Sequence, residues 1–268
     1  MKLLVSHESP IGLLKDSINY NDYQYCLVHL MCQNDAYNDW FMNVNTRTGH
    51  EVLLDNSIFE LKKAFDSKEF ASWVDKINPN YYIVPDVLED SQATIQSWVQ
   101  YNNEYKGANN NAAKIGVVQG KTWNDLVTCY KFMSEHADYI AISFDYSYYL
   151  ATGVGNEKLQ LWCSGRQRLI QHLIDEGIWN WNKPHHLLGC SLAREFRYYV
   201  DNNINNIRSC DTSNPIVAAL KGLRYNGDFG LNTKPSTLLA DLINAEVNDD
   251  IVELAYYNTT QFKNIIRR

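Results

Sequence analysis

The sequence predicts an α/β fold, a (β/α)8 TIM-like barrel over residues 1–268, on three observations. Eight short apolar runs each end abruptly in a polar or acidic residue. Amphipathic segments of helical period lie between most of them. The 268 residues match the roughly 250 that one barrel of this kind needs. Strand and helix alternating at this rhythm give βαβ units with right-handed crossovers, and eight units favour closure over a doubly wound open sheet.

The eight runs are KLLVSH (2–7), YCLVHLM (25–31), EVLLDNS (51–57), YYIVPDV (81–87), KIGVVQG (114–120), YIAISFD (139–145), HHLLGCS (185–191) and NIRSCDTS (206–213). Continuous apolar runs of this length suit strands buried on both faces, as in a parallel sheet. Between them, 66–77 places Phe70, Trp73, Val74 and Ile77 on one helical face. Residues 91–101 do the same with Ile95, Trp98 and Val99, and 122–133 with Leu126, Val127, Tyr130 and Met133. Helices are also expected over 167–174 and 192–200. The polar stretch GANNNAA (107–113) is expected to be a surface loop. From Gly222 the pattern changes: a loop over 224–237, then two helices over 238–246 and 250–266. This helical tail, 222–268, either completes the outer ring of the barrel or forms a small lid.

Composition narrows the class. Hydrophobic residues at 45% and aromatics at 13% supply a sizeable core. No window approaches the roughly 18 consecutive apolar residues of a membrane span, and the first residues do not read as a signal peptide. A soluble cytoplasmic protein is expected. The six cysteines form no C-x-x-C pair and the seven histidines add no ligand spacing, so neither a zinc site nor another cofactor is expected. The net charge of −7 argues against a non-specific nucleic-acid coat. Between Lys158 and Lys234, however, ten Lys/Arg stand against six Asp/Glu, a mildly basic stretch compatible with a local phosphate-contacting face. Arg166, Arg168, Arg194, Arg197 and Arg224 are its candidates, with Arg208 as a further cation on a strand.

In an α/β barrel the βα loops converge at the C-terminal ends of the strands, and the chemistry sits there. Those ends carry Asp55, Asp86, Gln119, Asp145, Ser191 and Asp211. Any one carboxylate can cap the helix that follows it. Four on one rim repel one another and need desolvation or partners, which points to function. His185 and His186 stand at a strand start and are expected to be structural. Aldolase-type chemistry wants a lysine at a strand end, and no strand here ends in one.

The ordered series LLDNSIFEL (53–61), IVPDVLED (83–90), GVVQGKTWNDL (116–126), HLLGCSLAREF (186–196) and SCDTSNP (209–215) resembles the tRNA-guanine transglycosylase superfamily from Val52 to Pro215. The C-x-C-x-x-C…H zinc motif of the tRNA enzymes has no counterpart here. The chain is more similar to the compact, zinc-less bacteriophage branch, which resembles the DNA-guanine transglycosylases. Those enzymes exchange guanine in DNA for a 7-deazaguanine, chemistry related to queuosine formation, and so protect a viral genome from host nucleases. The resemblance implies Asp211 as the nucleophile and Asp55 as the general acid/base. It implies Asp86 and Gln119 as ligands of the guanine edge; Ser143 and Phe144, standing where the family has glycines near a strand end, are expected to bind the base as well, the phenylalanine by stacking. It also implies DNA, or alternatively tRNA, and a free 7-deazaguanine base as partners. At physiological salt a −7 chain leaves room for a partner protein that presents the polymer. The other readings are the same exchange on tRNA and a non-catalytic module that binds deazaguanine or nucleic acid.

Overall fold

The computed structural model describes residues 3–105, 111–144, 146–190, 192–231, 237 and 239–267. Eight parallel strands form one sheet: β1 Leu4–Ser6, β2 Gln24–Leu27, β3 Val52–Asp55, β4 Tyr81–Ile83, β5 Ala113–Val118, β6 Tyr139–Ile142, β7 His185–Leu187 and β8 Ile207–Asp211. Neighbours in the chain are neighbours in the sheet from β2 to β8, and β1 returns to pair with β8. The result is a nearly closed (β/α)8 TIM-like barrel. Each of the eight apolar runs carries one strand, with β2 and β5 each beginning one residue before theirs.

Side chains alternate across a strand, so residues two apart share a face. Leu4, Leu53, Tyr81, Ile115, Tyr139 and Ser209, one each from six strands, line a small cavity of about 30 Å³ at the N-terminal mouth, together with Tyr23 and Glu51. Two residues further along the same lumen face stand Ser6, Tyr25, Asp55, Ile83, Val117, Ala141 and Asp211. The opposite faces of the strands, with Val5, Cys26, Val52, Leu54, Tyr82, Ile140, Ile142 and Cys210 all buried, pack under Phe70, Val74, Trp98, Tyr101, Leu126, Tyr130 and Met133 of the surrounding helices.

The helices start where the sequence offers a cap. Asp66 accepts from Lys68 N and Glu69 N ahead of Ser67–Ile77, and Asp90 accepts from Ala93 N ahead of Ser91–Glu104. Thr122 and Asp125 form a capping box ahead of Trp123–His136. The helix expected over 167–174 runs longer, Lys158–Asp175. That expected over 192–200 is Arg194–Asp201.

Three elements differ from expectation. The run 25–31 leaves the sheet after Leu27 and turns helical over Val28–Gln33. Val28, His29, Leu30 and Met31 are all buried, and a short segment buried all round looks the same as strand or helix in sequence. Two more short helices follow, Asp35–Phe41 and Val44–Thr48. The helix expected over 238–246 is a single 3-10 turn, Ala240–Leu242. Within 239–246 only Leu239 is buried, so one turn is enough to dock it. Of the loop expected at 107–113, residues 107–110 lie outside the described residues, and its last residue, Ala113, opens β5.

The seam between β1 and β2 closes through side chains rather than a backbone ladder. Tyr25 N donates to Ser6 Oγ at 3.1 Å, Val5 N to Asp22 Oδ2 at 2.9 Å, and His7 N to Asn21 Oδ1 at 2.7 Å. The C-terminal helix Asp249–Arg267 covers this seam from outside, and its Lys263 and Arg267 both pair with Asp22. The tail therefore completes the outer ring. Among the described residues no helix is long and apolar enough to cross a membrane.

Candidate active site

Asp211 and Asp55 are the final residues of β8 and β3, and the alternation described above turns both into the lumen. Both are buried, 5% and 8% exposed, so neither is a solvated surface charge. Asp55 Oδ2 accepts from the Tyr25 hydroxyl at 2.8 Å, and Oδ1 accepts from Ser57 N at 2.6 Å. Burial drives the Asp55 carboxyl well above the ordinary carboxylate range. The negative charges of Glu60 and, more weakly, Asp211 push the same way, against the two hydrogen bonds. Ser57 adopts a left-handed backbone at φ +58°, an uncommon conformation for serine that turns its N–H back on the carboxylate.

Asp211 is held from β7. Gly189 N donates to its Oδ1 at 3.1 Å and Oδ2 at 3.2 Å, and His186 Nε2 lies 3.0 Å from Oδ1. Gly189 has φ +63°, a conformation that glycine takes without a Cβ penalty. Its carbonyl and that of Leu188 accept from Arg166, which also pairs with Glu195 Oε1 at 2.7 Å. Arg166 is fully buried, so its charge clamps the loop that cradles Asp211. It cannot meet a phosphate, contrary to the sequence expectation.

Asp86 and Gln119 meet on the same rim. Gln119 Nε2 donates to Asp86 Oδ2 at 2.5 Å, and Asn56 Nδ2 donates to Asp86 Oδ1 at 2.8 Å. Burial raises the Asp86 carboxyl above its ordinary range, with both amides opposing the shift. Gln119 Oε1 accepts from Glu89 N at 2.7 Å, and Glu89 Oε1 accepts from Ser147 N at 2.8 Å. The loops after β4, β5 and β6 are thereby tied together over the mouth.

The remaining expectations separate. Ser143 follows β6 beside Tyr146 and is half-buried. Phe144 turns away from the lumen, packing edge-on to Trp162 at 5.5 Å with the Arg166 guanidinium 5.0 Å from its ring centre. Asp145 and Ser191 lie outside the described residues. Arg208 sits at the start of β8 beside Tyr81 and Tyr139, at the opposite mouth from the carboxylates. Arg197 pairs with Asp201, and Arg224 stacks on Tyr257. Arg168 and Arg194 are exposed. Among the described residues no group of three or more His, Cys, Asp and Glu is placed to hold a metal ion.

One residue set aside in the sequence belongs to the site. His185 is structural as expected, stacked on Trp179 at 3.8 Å and bonded to Tyr130. His186 is not remote. β7 is only three residues long, so its middle residue already reaches Asp211, and an irregularity between His185 and His186 pairs His186 with Ser209, two residues before Asp211. The signal in the sequence was the shortness of the run before Gly189.

The arrangement pairs a raised carboxyl with a second carboxylate held by donors, beside a carboxyl–amide pair suited to the edge of a base. No family model matches the chain, and no curated protein matches it.

Proposed function

We propose that this chain is a guanine transglycosylase that exchanges guanine in DNA for a 7-deazaguanine base through a covalent aspartyl–nucleotide intermediate. The observation that carries the reading is the unequal pair at the lumen: Asp55 pushed toward its protonated form by burial, Asp211 held by hydrogen bonds from Gly189 N and the contact with His186. Two carboxyl groups in different environments divide the labour of an acid and a nucleophile.

In the first half-reaction an Asp211 oxygen attacks C1′ of the nucleotide. The C1′–N9 bond breaks, and the departing guanine takes the proton of Asp55. In the second, the incoming base gives its N9 proton to the Asp55 carboxylate and attacks C1′, and the Asp211 ester bond breaks. Charge and protons balance over the cycle, and two displacements retain configuration at the sugar. Asp86 offers two acceptors to the N1 and exocyclic amine donors of guanine, contacts that favour its ionised form. Gln119, released from Asp86 by that exchange of partners, donates to O6 or N7.

Asp55, Asp86 and Asp211 are at most 8% exposed, so a base enters only when the tied rim loops part. A flipped or single-stranded nucleotide meets this requirement better than a stacked one.

The test is release of label from guanine-labelled DNA in the presence of 7-deazaguanine bases, beside an Asp211→Ala control. Release that depends on Asp211, with a protein–DNA adduct surviving denaturation, is the expected outcome. Release from labelled tRNA alone moves the substrate and keeps the mechanism. Retention of DNA or of the free base with no release from either polymer would mean a binding module and sink the proposal.

A further inference from the structure

We infer that His186 is a positioning residue for the nucleophile, fixing which oxygen of Asp211 attacks. This rests on the reading of Asp211 as nucleophile given above.

A carboxylate only accepts, so the 3.0 Å contact at Oδ1 requires the proton on His186 Nε2. At the other ring nitrogen, Nδ1 lies 2.9 Å from Ser209 Oγ, and Ser209 Oγ lies 2.8 Å from the Tyr139 hydroxyl. Burial raises the Tyr139 phenol, so it keeps its proton and is able to donate. One arrangement satisfies all three contacts with a neutral ring. Tyr139 donates to Ser209, Ser209 to Nδ1, and Nε2–H to Asp211. The ring is fully buried and lies near-parallel to Tyr25, 15° between planes and 6.3 Å between centres. Tyr25 in turn holds Asp55. Oδ1 therefore receives both the imidazole and Gly189 N, whereas Oδ2 receives Gly189 N alone at 3.2 Å. Oδ2 is the oxygen left to bond C1′, and the imidazole keeps the carboxylate from rotating as Oδ2 leaves and returns.

The experiment combines single-turnover base exchange on DNA with imidazole nitrogen NMR of the unliganded protein. His186→Ala is expected to lower the rate on the order of 100-fold while half-saturating DNA changes less than about threefold. His186→Gln, whose amide can donate from the same place, is expected to recover about tenfold of that loss. Ser209→Ala, which keeps the ring and frees its tautomer, serves where the alanine variant melts early, and is expected to lose about tenfold in rate alone. In wild type the NMR is expected to show the proton on Nε2.

Unchanged rates in both alanine variants, or a loss carried by half-saturating DNA, overturn the inference with the proposed function intact. An inert wild type removes the proposed function instead. The NMR then still decides the contact, because a proton on Nδ1 alone means that His186 does not hold Asp211.

Discussion

Burying a carboxyl group with no cation beside it costs folding energy whenever the group is charged, and among the described residues Asp55 is in that position. Its pKa in the folded protein lies well above the ordinary 3.8. Above 3.8 the unfolded chain releases a proton that the folded protein keeps. The group's contribution to stability is therefore greatest at low pH and declines as pH rises, until the folded value is passed. Asp55→Asn removes the penalty. Its oxygen accepts from Ser57 N and its amide donates to the Tyr25 hydroxyl, which can reverse its role. The variant is expected to melt a few degrees above wild type near pH 8 and to converge with it below pH 4, while base exchange is lost. Thermal melts at both pH values check this. A variant that melts lower at every pH would show the two native hydrogen bonds outweighing the buried charge.

At the scale of elements, the helix Lys158–Asp175 is joined to Arg194–Asp201 by the buried Arg166–Glu195 pair, with two hydrogen bonds at 2.7 and 2.9 Å. Removing one partner of a buried pair leaves the other charge uncompensated. Arg166→Met is expected to cost about 3–5 kcal/mol in urea denaturation, and Arg166→Met with Glu195→Gln distinctly less. A double variant no more stable than the single one would place the cost in packing instead. The pair also shows where the sequence stops being legible. Cys163, Arg166, Leu169, Ile170 and Leu173 share the buried face of that helix, but the partner that makes a buried arginine tolerable lies 29 residues away. Local composition therefore made Arg166 look like a phosphate contact. The eight strands were legible because each is a continuous apolar run, and Asp55 and Asp211 because both end strands whose alternation points them inward. Phe144 was misplaced by one step of that alternation: Ser143 stays with the rim and Phe144 faces the helix. The short helices after β2 carried no period long enough to detect.

The whole barrel depends on a seam where β1 and β2 form no ladder and one backbone bond, Asp22 N to Val5 O at 2.9 Å, crosses, and that seam carries a titratable group. His7 follows β1, fully buried, with its ring edge-on to Phe262 of the C-terminal helix at 5.4 Å. Burial lowers its pKa from 6.5 to about 3, helped by the nearby Lys263 and opposed by Asp22. His185, on β7 two strands from β1, is lowered to about 3 by burial. Both rings stay neutral in the folded protein at pH values where the unfolded chain binds a proton. Their stabilising contribution is complete above 6.5 and is lost as pH falls toward 3, the reverse of the Asp55 and Asp86 trend. Between pH 6.5 and 5 the raised carboxyls of Asp55 and Asp86 oppose the histidines, because the folded protein keeps protons there that the unfolded chain has released. The two histidines limit the slope to about 2.7 kcal/mol per pH unit. His7→Phe keeps the ring contact at the seam and removes one of the two protons. Urea denaturation of wild type and variant at pH 7, 6 and 5 measures the difference. The variant is expected to lose less stability on acidification than wild type, by at most about 1.4 kcal/mol per pH unit, the share of one histidine. Equal slopes would mean that His7 takes up its proton without the seam opening, and that the closure formed by Asp22, Lys263 and Arg267 tolerates a charge inside it.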